Sequence, residues 1–181
     1  MRFADRARSR EWADVAEAVD IVARLAARGM TVAVAESLTG GLLVAEMIRP
    51  AGASEVVVGG VIAYATELKS TILGVDPALL AEHGPVHPDV ARAMARNVRD
   101  RLAVGGVPAT LGISTTGVAG PEPVHGHAPG VVYLGLSWRD ESHSRRLDLS
   151  GSRDDVRTLA VAAALDWVGE TLERGLASGR E

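Results

Sequence analysis

The sequence predicts a single α/β domain with three layers (α/β/α), in which helices cover both faces of a mixed sheet. Three observations support this fold class. The 181 residues suit one domain, whose core we expect to span about residues 10–175. Runs rich in Val, Ile and Ala alternate with amphipathic helical patterns in the first half of the chain, and three consecutive strand patterns follow. No internal repeat or linker separates these segments.

The first half of the chain begins with a predicted amphipathic helix, which Gly29 ends. Its buried face is predicted from five apolar residues at helical spacing: Trp12, Val15, Val19, Val22 and Ala26. The run TVAVA is a short buried strand, and Thr39 is a candidate cap for a helix that ends before Pro50. EVVVGGVIAYA is the second strand. Two short helices, TELKSTILG and DPALLAEHG, then precede a longer one, HPDVARAMARNVRDRLA.

The second half of the chain contains three predicted strands and one helix. The strands are ATLGISTT, GVVYLGLSW and SHSRRLDLS, joined by a loop of Gly, Pro and His and by a polar turn. The last helix starts near Arg153. The predicted order is therefore α-β-α-β-α-α-α-β-β-β-α, which implies a mixed sheet with helices on both faces.

Composition excludes several classes of function. The net charge of -4 gives no general attraction to nucleic acid or to an anionic membrane, so neither is expected as a partner. The absence of cysteine excludes disulfides, thiolate nucleophiles and cysteine-bound metals. The N-terminal sequence lacks the apolar core of a secretory signal, and the longest apolar runs are too short to span a bilayer. We therefore expect a cytoplasmic protein.

A polar turn lies between the first predicted strand and the helix that follows it. The turn reads Glu36-Ser37-Leu38-Thr39-Gly40-Gly41. Because open α/β sheets bind ligands at the carboxyl ends of their strands, Ser37 is a candidate nucleophile there. N–H groups at the start of the helix can hold an oxyanion, and glycine lets a substrate approach the backbone. An ordinary tight turn capped by serine explains the same residues.

Lys69 is the only lysine among the 19 basic residues, the other 18 being arginine. Arginine does not give up its proton and cannot act as a base, so the retained lysine suggests a position that needs an amine. The pattern places none of the five histidines (His83, His87, His125, His127 and His143) beside Ser37. Lys69 is therefore the candidate base for Ser37, and a solvated lysine on a short helix is the alternative.

Two later stretches could contact an anion. TTGVAGP (residues 115–121) follows a predicted strand and can present N–H groups to a phosphate, although an ordinary strand exit fits as well. Arg153 at the start of the last helix could also reach an anion. His125 and His127 invite a metal site, but no third ligand stands at a recognisable spacing, so we expect no metal and no cofactor.

Taken together, these stretches resemble the CinA C-terminal domain family, whose characterised enzymatic members are nicotinamide-nucleotide amidohydrolases. The matching runs follow the family order over about residues 10–175 and read AESLTGGLLVAEMI, GGVIAYATELKSTILGV, HGPVHPDVARAMA, TTGVAGP, PGVVYLGL and GSRDDVR. The family fold is a single α/β/α domain. The preceding molybdopterin-binding-like domain of longer members has no counterpart here, so we expect a stand-alone form and assume no pyrophosphatase activity.

The resemblance implies deamidation of nicotinamide mononucleotide to nicotinic acid mononucleotide and ammonia by a metal-free Ser-Lys mechanism. It carries the nucleophile to Ser37, the base to Lys69 and an orienting hydroxyl to Tyr64. It also implies a homo-oligomer, and substrate contacts from residues of the two turns and from a phosphate ligand in the last helix. These residues are Glu36, Thr39, Gly40, Gly41, Thr116, Gly117, Ala119, Gly120 and Arg153.

The sequence departs from the family pattern at several positions. Leu38 replaces a common cysteine, Ala65-Thr66 replaces Ser-Asn, His87 replaces a serine, and Ser152 replaces an aspartate. Two alternatives therefore stand beside the amidohydrolase. One is a non-catalytic protein of the same fold that binds a nucleotide or a partner. The other is an amidohydrolase that acts on a different amide.

Overall fold

A five-stranded mixed sheet forms the centre of the computed structural model, which describes residues 13–177. The strands are β1 (Val32–Glu36), β2 (Val57–Ile62), β3 (Leu111–Gly117), β4 (Val131–Trp138) and β5 (Glu141–Asp148). Their order in the sheet is β2-β1-β3-β4-β5. β1 pairs in parallel with β2 and β3, whereas β3, β4 and β5 pair antiparallel. The predicted mixed sheet is thus confirmed.

Helices precede, separate and follow the strands in the predicted order. They are α1 (Ala13–Ala26), α2 (Leu42–Met47), α3 (Thr66–Thr71), α4 (Pro77–His83), α5 (Pro88–Arg101) and α6 (Arg153–Ala177). A short 3₁₀ helix, Ala53–Glu55, precedes β2. None of the helices within residues 13–177 combines the length and the apolar character needed to cross a lipid bilayer.

The two faces of the sheet bury different sets of residues, because neighbouring side chains on a strand point in opposite directions. In β1, Val32 and Val34 join the core under α1, α2 and α6. Ala33 and Ala35 join the core of the other face, under α5, with Val90 and Met94. The alternation gives the three-layer α/β/α arrangement that the sequence predicts.

The buried face of α1 differs from the predicted one. Val19 is 48% exposed and Ala26 is exposed, whereas Trp12 and the side chain of Val15 lie outside the described part of the chain. The residues that face the core are Ala18, Ile21, Val22 and Leu25. Two apolar stripes overlap on this helix. The buried stripe carries the larger side chains, Ile and Leu, so packing it against α6 removes more apolar surface from water.

The carboxyl ends of three parallel strands meet at one edge of the sheet. Glu36, the last residue of β1, pairs with Ile62 of β2 on one side and with Thr115 of β3 on the other. β1 lies between β2 and β3, and after it the chain turns toward α2. The loops that follow β2 and β3 lie on either side of this turn. Ligands bind at such points in open α/β sheets.

Candidate functional site

The turn after β1 holds Ser37 in a fixed position. The Ser37 N–H donates to the Thr115 carbonyl over 2.9 Å, which extends the pairing of β1 and β3 by one residue. The Gly40 N–H donates to the Ser37 carbonyl over 3.1 Å and closes a tight turn. Gly40 and Gly41 have φ values of 60° and 100°, a region that other residues enter only with strain. The paired glycines therefore let the chain reverse directly after the serine.

Glu36 caps the helix that begins after this turn. Its side chain is 1% exposed, and its carboxylate accepts hydrogen bonds from the N–H groups of Gly41 (3.0 Å), Leu43 (3.1 Å) and Val44 (2.8 Å). A carboxylate suits the positive end of a helix dipole. Thr39, the predicted cap, instead shares a hydrogen bond of 2.7 Å with the Thr115 hydroxyl.

Three predicted substrate contacts, and the side chain of a fourth, take a supporting role in this arrangement instead. Glu36, Thr39, Gly40 and Gly41 do not belong to the cavity beside Ser37. The Glu36 carboxylate and the Thr39 hydroxyl are buried and bonded within the protein, and the two glycines form the turn. Glu36, Gly40, Gly41 and the Thr39 side chain therefore support Ser37 and do not form the wall of the cavity.

Lys69 lies in α3 and reaches Ser37 from the loop side of β2. Its Nζ donates to Ser37 Oγ over 3.0 Å and to the Ala63 carbonyl over 2.8 Å. The side chain is 1% exposed, which excludes the alternative of a solvated lysine. Burial lowers the pKa of Lys69 to about 8, against a weaker opposing effect of Glu67. A substantial neutral fraction is therefore present close to neutral pH.

A cavity of about 220 Å3 opens beside the Ser37 and Lys69 side chains. The remaining predicted site residues line it: Tyr64, Thr116, Gly117, Ala119, Gly120 and Arg153. The Thr116 hydroxyl donates to the Pro85 carbonyl over 2.6 Å and is buried, so it fixes the wall rather than facing a ligand. The structure thus brings together residues from the ends of β1, β2 and β3 and from the start of α6.

Arg153 and Tyr64 meet at the exposed side of the cavity. The Arg153 guanidinium donates from Nη2 to the Tyr64 hydroxyl over 2.8 Å and from Nη1 to the Gly120 carbonyl over 2.7 Å. Tyr64 is 60% exposed. Within residues 13–177, its hydroxyl bonds to Arg153 and to neither Ser37 nor Lys69. Tyr64 is placed to contact a ligand at the entrance, close to a positive charge.

Eight residues that line the cavity, and Arg157 behind it, were not predicted from the sequence. The additional lining residues are Leu38, Thr66, Pro85, Val86, Val118, Glu122, Val124 and His125. Arg157, one helical turn after Arg153, donates to the carbonyls of Leu38 and Thr39. The four-residue spacing of the two arginines puts them on one face of α6, and this pattern could have identified Arg157.

Two histidines stack on each other on either side of Pro85 and Val86, which line the cavity. The rings of His83 and His87 stack with their centroids 4.3 Å apart, and His87 Nδ1 accepts the N–H of Asp89 and so caps α5. Burial, followed by the neighbouring His83, lowers the pKa of His87. In the part of the chain that the structure describes, no group of three or more His, Asp or Glu side chains is arranged to hold a metal ion.

The relatives among known proteins include CinA-like proteins. A CinA-like protein of Frankia casuarinae is 45% identical over 152 residues, which cover 84% of this chain and 34% of that protein. A CinA-like protein of Geobacter sulfurreducens is 43% identical over 146 residues, covering 80% of this chain and 34% of that protein. The chain therefore spans about a third of the length of the curated relatives it matches.

Solved structures share the fold over almost their whole length. A competence-damaged protein (CinA) superfamily protein from Klebsiella pneumoniae matches with a TM-score of 0.82 and 28% identity, covering 89% of this chain and 98% of that chain. The competence/damage inducible protein CihA from Agrobacterium tumefaciens matches with a TM-score of 0.81 and 28% identity, covering 88% and 95%. The sequence model of the CinA C-terminal domain matches residues 15–172. The chain therefore belongs to the CinA C-terminal domain family.

Proposed function

We propose that this domain is a nicotinamide-nucleotide amidohydrolase, which converts nicotinamide mononucleotide and water into nicotinic acid mononucleotide and ammonia. The observation that carries the proposal is the buried contact of 3.0 Å between Lys69 Nζ and Ser37 Oγ. A serine paired with a desolvated lysine is the arrangement of a Ser-Lys nucleophile. Membership of the family whose characterised enzymatic members hydrolyse this nucleotide supports the choice of substrate.

Neutral Lys69 accepts the proton of the Ser37 hydroxyl. In the neutral amine one hydrogen can still bond to the Ala63 carbonyl, 2.8 Å from Nζ, while the nitrogen lone pair accepts the Ser37 proton across the 3.0 Å contact. With a pKa of about 8, about a tenth of the lysine is neutral at pH 7. For a lysine with an unperturbed pKa, less than about a thousandth of the amine would be neutral at that pH. Burial of the amine therefore makes it an effective base.

Ser37 Oγ then attacks the carboxamide carbon of the substrate. The carbonyl oxygen becomes an oxyanion, which the N–H groups of Leu38 and Thr39, directly after the nucleophile, can bind. The Lys69 ammonium returns its proton to the leaving nitrogen, so ammonia departs and an acyl ester of Ser37 remains. Water attacks this ester while Lys69 again takes a proton. As the ester bond breaks, Lys69 returns this proton to Ser37 Oγ, which restores the serine. The product acid loses its own proton to water and leaves as the carboxylate.

The cavity combines an apolar wall with a positive charge at its exposed side, which suits a nucleotide with a negative tail. The pyridinium ring of the substrate withdraws electrons from its carboxamide and makes that carbon easier to attack. Val86 and Val118 contribute apolar surface to the cavity, and Arg153 lies at its exposed side. A guanidinium pairs well with phosphate. The proposal therefore places the carboxamide at Ser37 and the phosphate near Arg153.

Release of ammonia from nicotinamide mononucleotide by the purified protein tests the proposal. We expect turnover that persists in EDTA and disappears in Ser37→Ala. Ser70→Ala is the matched control, because the Ser70 hydroxyl is exposed on α3 and bonds to the Glu67 carbonyl. Binding of the nucleotide without ammonia release would contradict the proposed amidohydrolase activity and favour the non-catalytic alternative. Loss of activity in EDTA, restored by zinc, would contradict the metal-free mechanism.

A further inference from the structure

Arg157 connects α6 to the turn that carries the nucleophile. Its Nε donates to the Leu38 carbonyl over 3.1 Å, and its Nη2 donates to the Thr39 carbonyl over 3.1 Å. Nη1 pairs with Asp154 over 3.2 Å, one turn earlier on the same helix. The planar guanidinium thus binds two successive carbonyls at once, which a lysine ammonium cannot do with the same geometry.

This contact fixes the direction of the peptide group between Leu38 and Thr39. A trans peptide is planar, so its C=O and N–H point in opposite directions. The Leu38 carbonyl faces α6, which packs on the face of the sheet that holds Val32 and Val34. The Thr39 N–H therefore points toward the opposite face. That face holds the Ser37 side chain and Lys69, because side chains alternate along the strand.

The hydrogen bonds of the turn leave two N–H groups for a ligand. Gly40 donates to the Ser37 carbonyl, and Glu36 accepts the N–H groups at the start of α2. Leu38 and Thr39 are 4% and 0% exposed, yet within residues 13–177 neither N–H donates to another protein group. Buried N–H groups are nearly always paired in native proteins. Two adjacent unpaired donors beside a nucleophile are suited to bind an oxyanion.

We propose that Arg157 is a positioning residue for the oxyanion site, an inference that rests on the proposed amidohydrolase. Its bond to the Leu38 carbonyl directs the Thr39 N–H, which belongs to the same peptide group, at the reacting carbonyl. Its bond to the Thr39 carbonyl holds the next peptide group, whose Gly40 N–H donates to the Ser37 carbonyl and so keeps the Leu38 N–H in place. The guanidinium also polarises the Leu38–Thr39 peptide, which strengthens its N–H as a donor. Arg157 acts on the transition state and makes no contact with the substrate.

Kinetics of Arg157→Ala and Arg157→Lys test this role. For Arg157→Ala we expect kcat to fall by about 100-fold, the effect of losing one oxyanion donor, while KM changes by less than about threefold. Arg157→Lys reaches one carbonyl and should retain an intermediate kcat. Methylguanidinium in solution should restore part of the kcat of Arg157→Ala. Arg145→Ala, which removes an arginine bound to α6 through Glu170 instead, is the control and should keep the wild-type kcat.

Labelling of Ser37 by a fluorophosphonate gives a readout independent of the substrate. The phosphonyl oxygen needs the same two N–H donors, so intact-mass measurements should show Arg157→Ala labelling about 100-fold more slowly than wild type. Unchanged labelling and unchanged kcat in Arg157→Ala would overturn the inference, and so would a rise of KM with kcat preserved. A wild-type protein that is labelled but releases no ammonia would contradict the proposed function instead. In that case the labelling rates of wild type and Arg157→Ala still test whether Arg157 positions the oxyanion site.

Discussion

Lys69 Nζ lies 3.0 Å from Ser37 Oγ, and the lysine is buried, with 1% of its surface exposed. The sheet creates this contact, because Ser37 follows β1 and the α3 helix that carries Lys69 follows the neighbouring parallel strand β2. Ala63, which directly follows β2, supplies the second acceptor of the amine at 2.8 Å. The nucleophile and its candidate base thus need no rearrangement to exchange a proton.

Substitution of Lys69 should separate charge from basicity. Lys69→Arg keeps a positive charge but cannot take the proton of Ser37, so we expect it to lose nearly all ammonia release. Lys69→Met removes the charge and should also be inactive. Its melting temperature should not fall, because burying an ammonium is costly and methionine fills a similar volume. A Lys69→Arg variant with more than about a tenth of the wild-type kcat, about 1.4 kcal/mol of barrier, would remove lysine as the base.

The pH dependence of kcat/KM should report the pKa of Lys69 in the free enzyme. The base is active when neutral, so kcat/KM should fall about tenfold per pH unit below about 8 and level off above it. A profile that stays flat between about pH 6.5 and 9 would exclude a base with this pKa.

The same pKa shift should appear in stability. The pKa of Lys69 in the folded protein, about 8, lies below its ordinary value of 10.5, so the unfolded chain binds more protons between these two pH values. Wild type should therefore gain stability relative to Lys69→Met as the pH rises from about 8 to about 10.5. Thermal unfolding of both proteins across this pH range measures the difference.

Glu36→Gln should destabilise the turn. The carboxylate accepts three N–H groups at the start of α2, whereas a glutamine offers one oxygen and turns an NH2 group toward the other donors. We expect the free energy of unfolding to fall by about 2–4 kcal/mol in urea denaturation. Glu46→Gln on the same helix removes only the ion pair with Arg49, whose side chain is 51% exposed, and should cost less than about 0.5 kcal/mol. Equal effects of the two substitutions would contradict the capping role.

The order of elements could be predicted from the sequence because periodicity is a local property. Polar residues and glycines mark each boundary, and the strand and helix patterns rarely overlap. The face of α1 could not be predicted, since Val19 and Ala26 form a second apolar stripe beside the one that Ile21 and Leu25 bury. Only the packing against α6 decides between the two stripes.

The candidate site could be predicted only in part. Ser37 stands at a recognisable junction and Lys69 is conspicuous as a single lysine, but their contact depends on the pairing of β1 with β2. The role of Glu36 was missed because a glutamate at the end of a buried strand looks like a surface or ligand residue. It becomes a cap only when two left-handed glycines fold α2 back onto it. Pro85 and His125 reach the cavity from distant segments, without any local pattern.

Arg153 gives a prediction about substrate choice. Its guanidinium bonds to Tyr64 and Gly120 at the exposed side of the cavity, where a phosphate could replace either partner. Arg153→Ala should raise KM for nicotinamide mononucleotide by about 10- to 100-fold, which is about 1.4 to 2.8 kcal/mol, with little change in kcat. The matched control is Arg146→Ala, because Arg146 pairs with Asp148 on the exposed edge strand β5.

The riboside of nicotinamide distinguishes phosphate binding from support of the cavity wall. It carries the same carboxamide and ribose without a phosphate, so the KM of wild type for the riboside should already be as high as the KM of Arg153→Ala for the mononucleotide. Arg153→Ala should then handle riboside and mononucleotide alike, since the group that tells them apart is gone. If Arg153 instead fixes the Gly120 loop through its bond of 2.7 Å, Arg153→Ala should raise the KM of both substrates by the same factor. A parallel loss on both would therefore remove Arg153 as the phosphate ligand and leave it as a support of the wall.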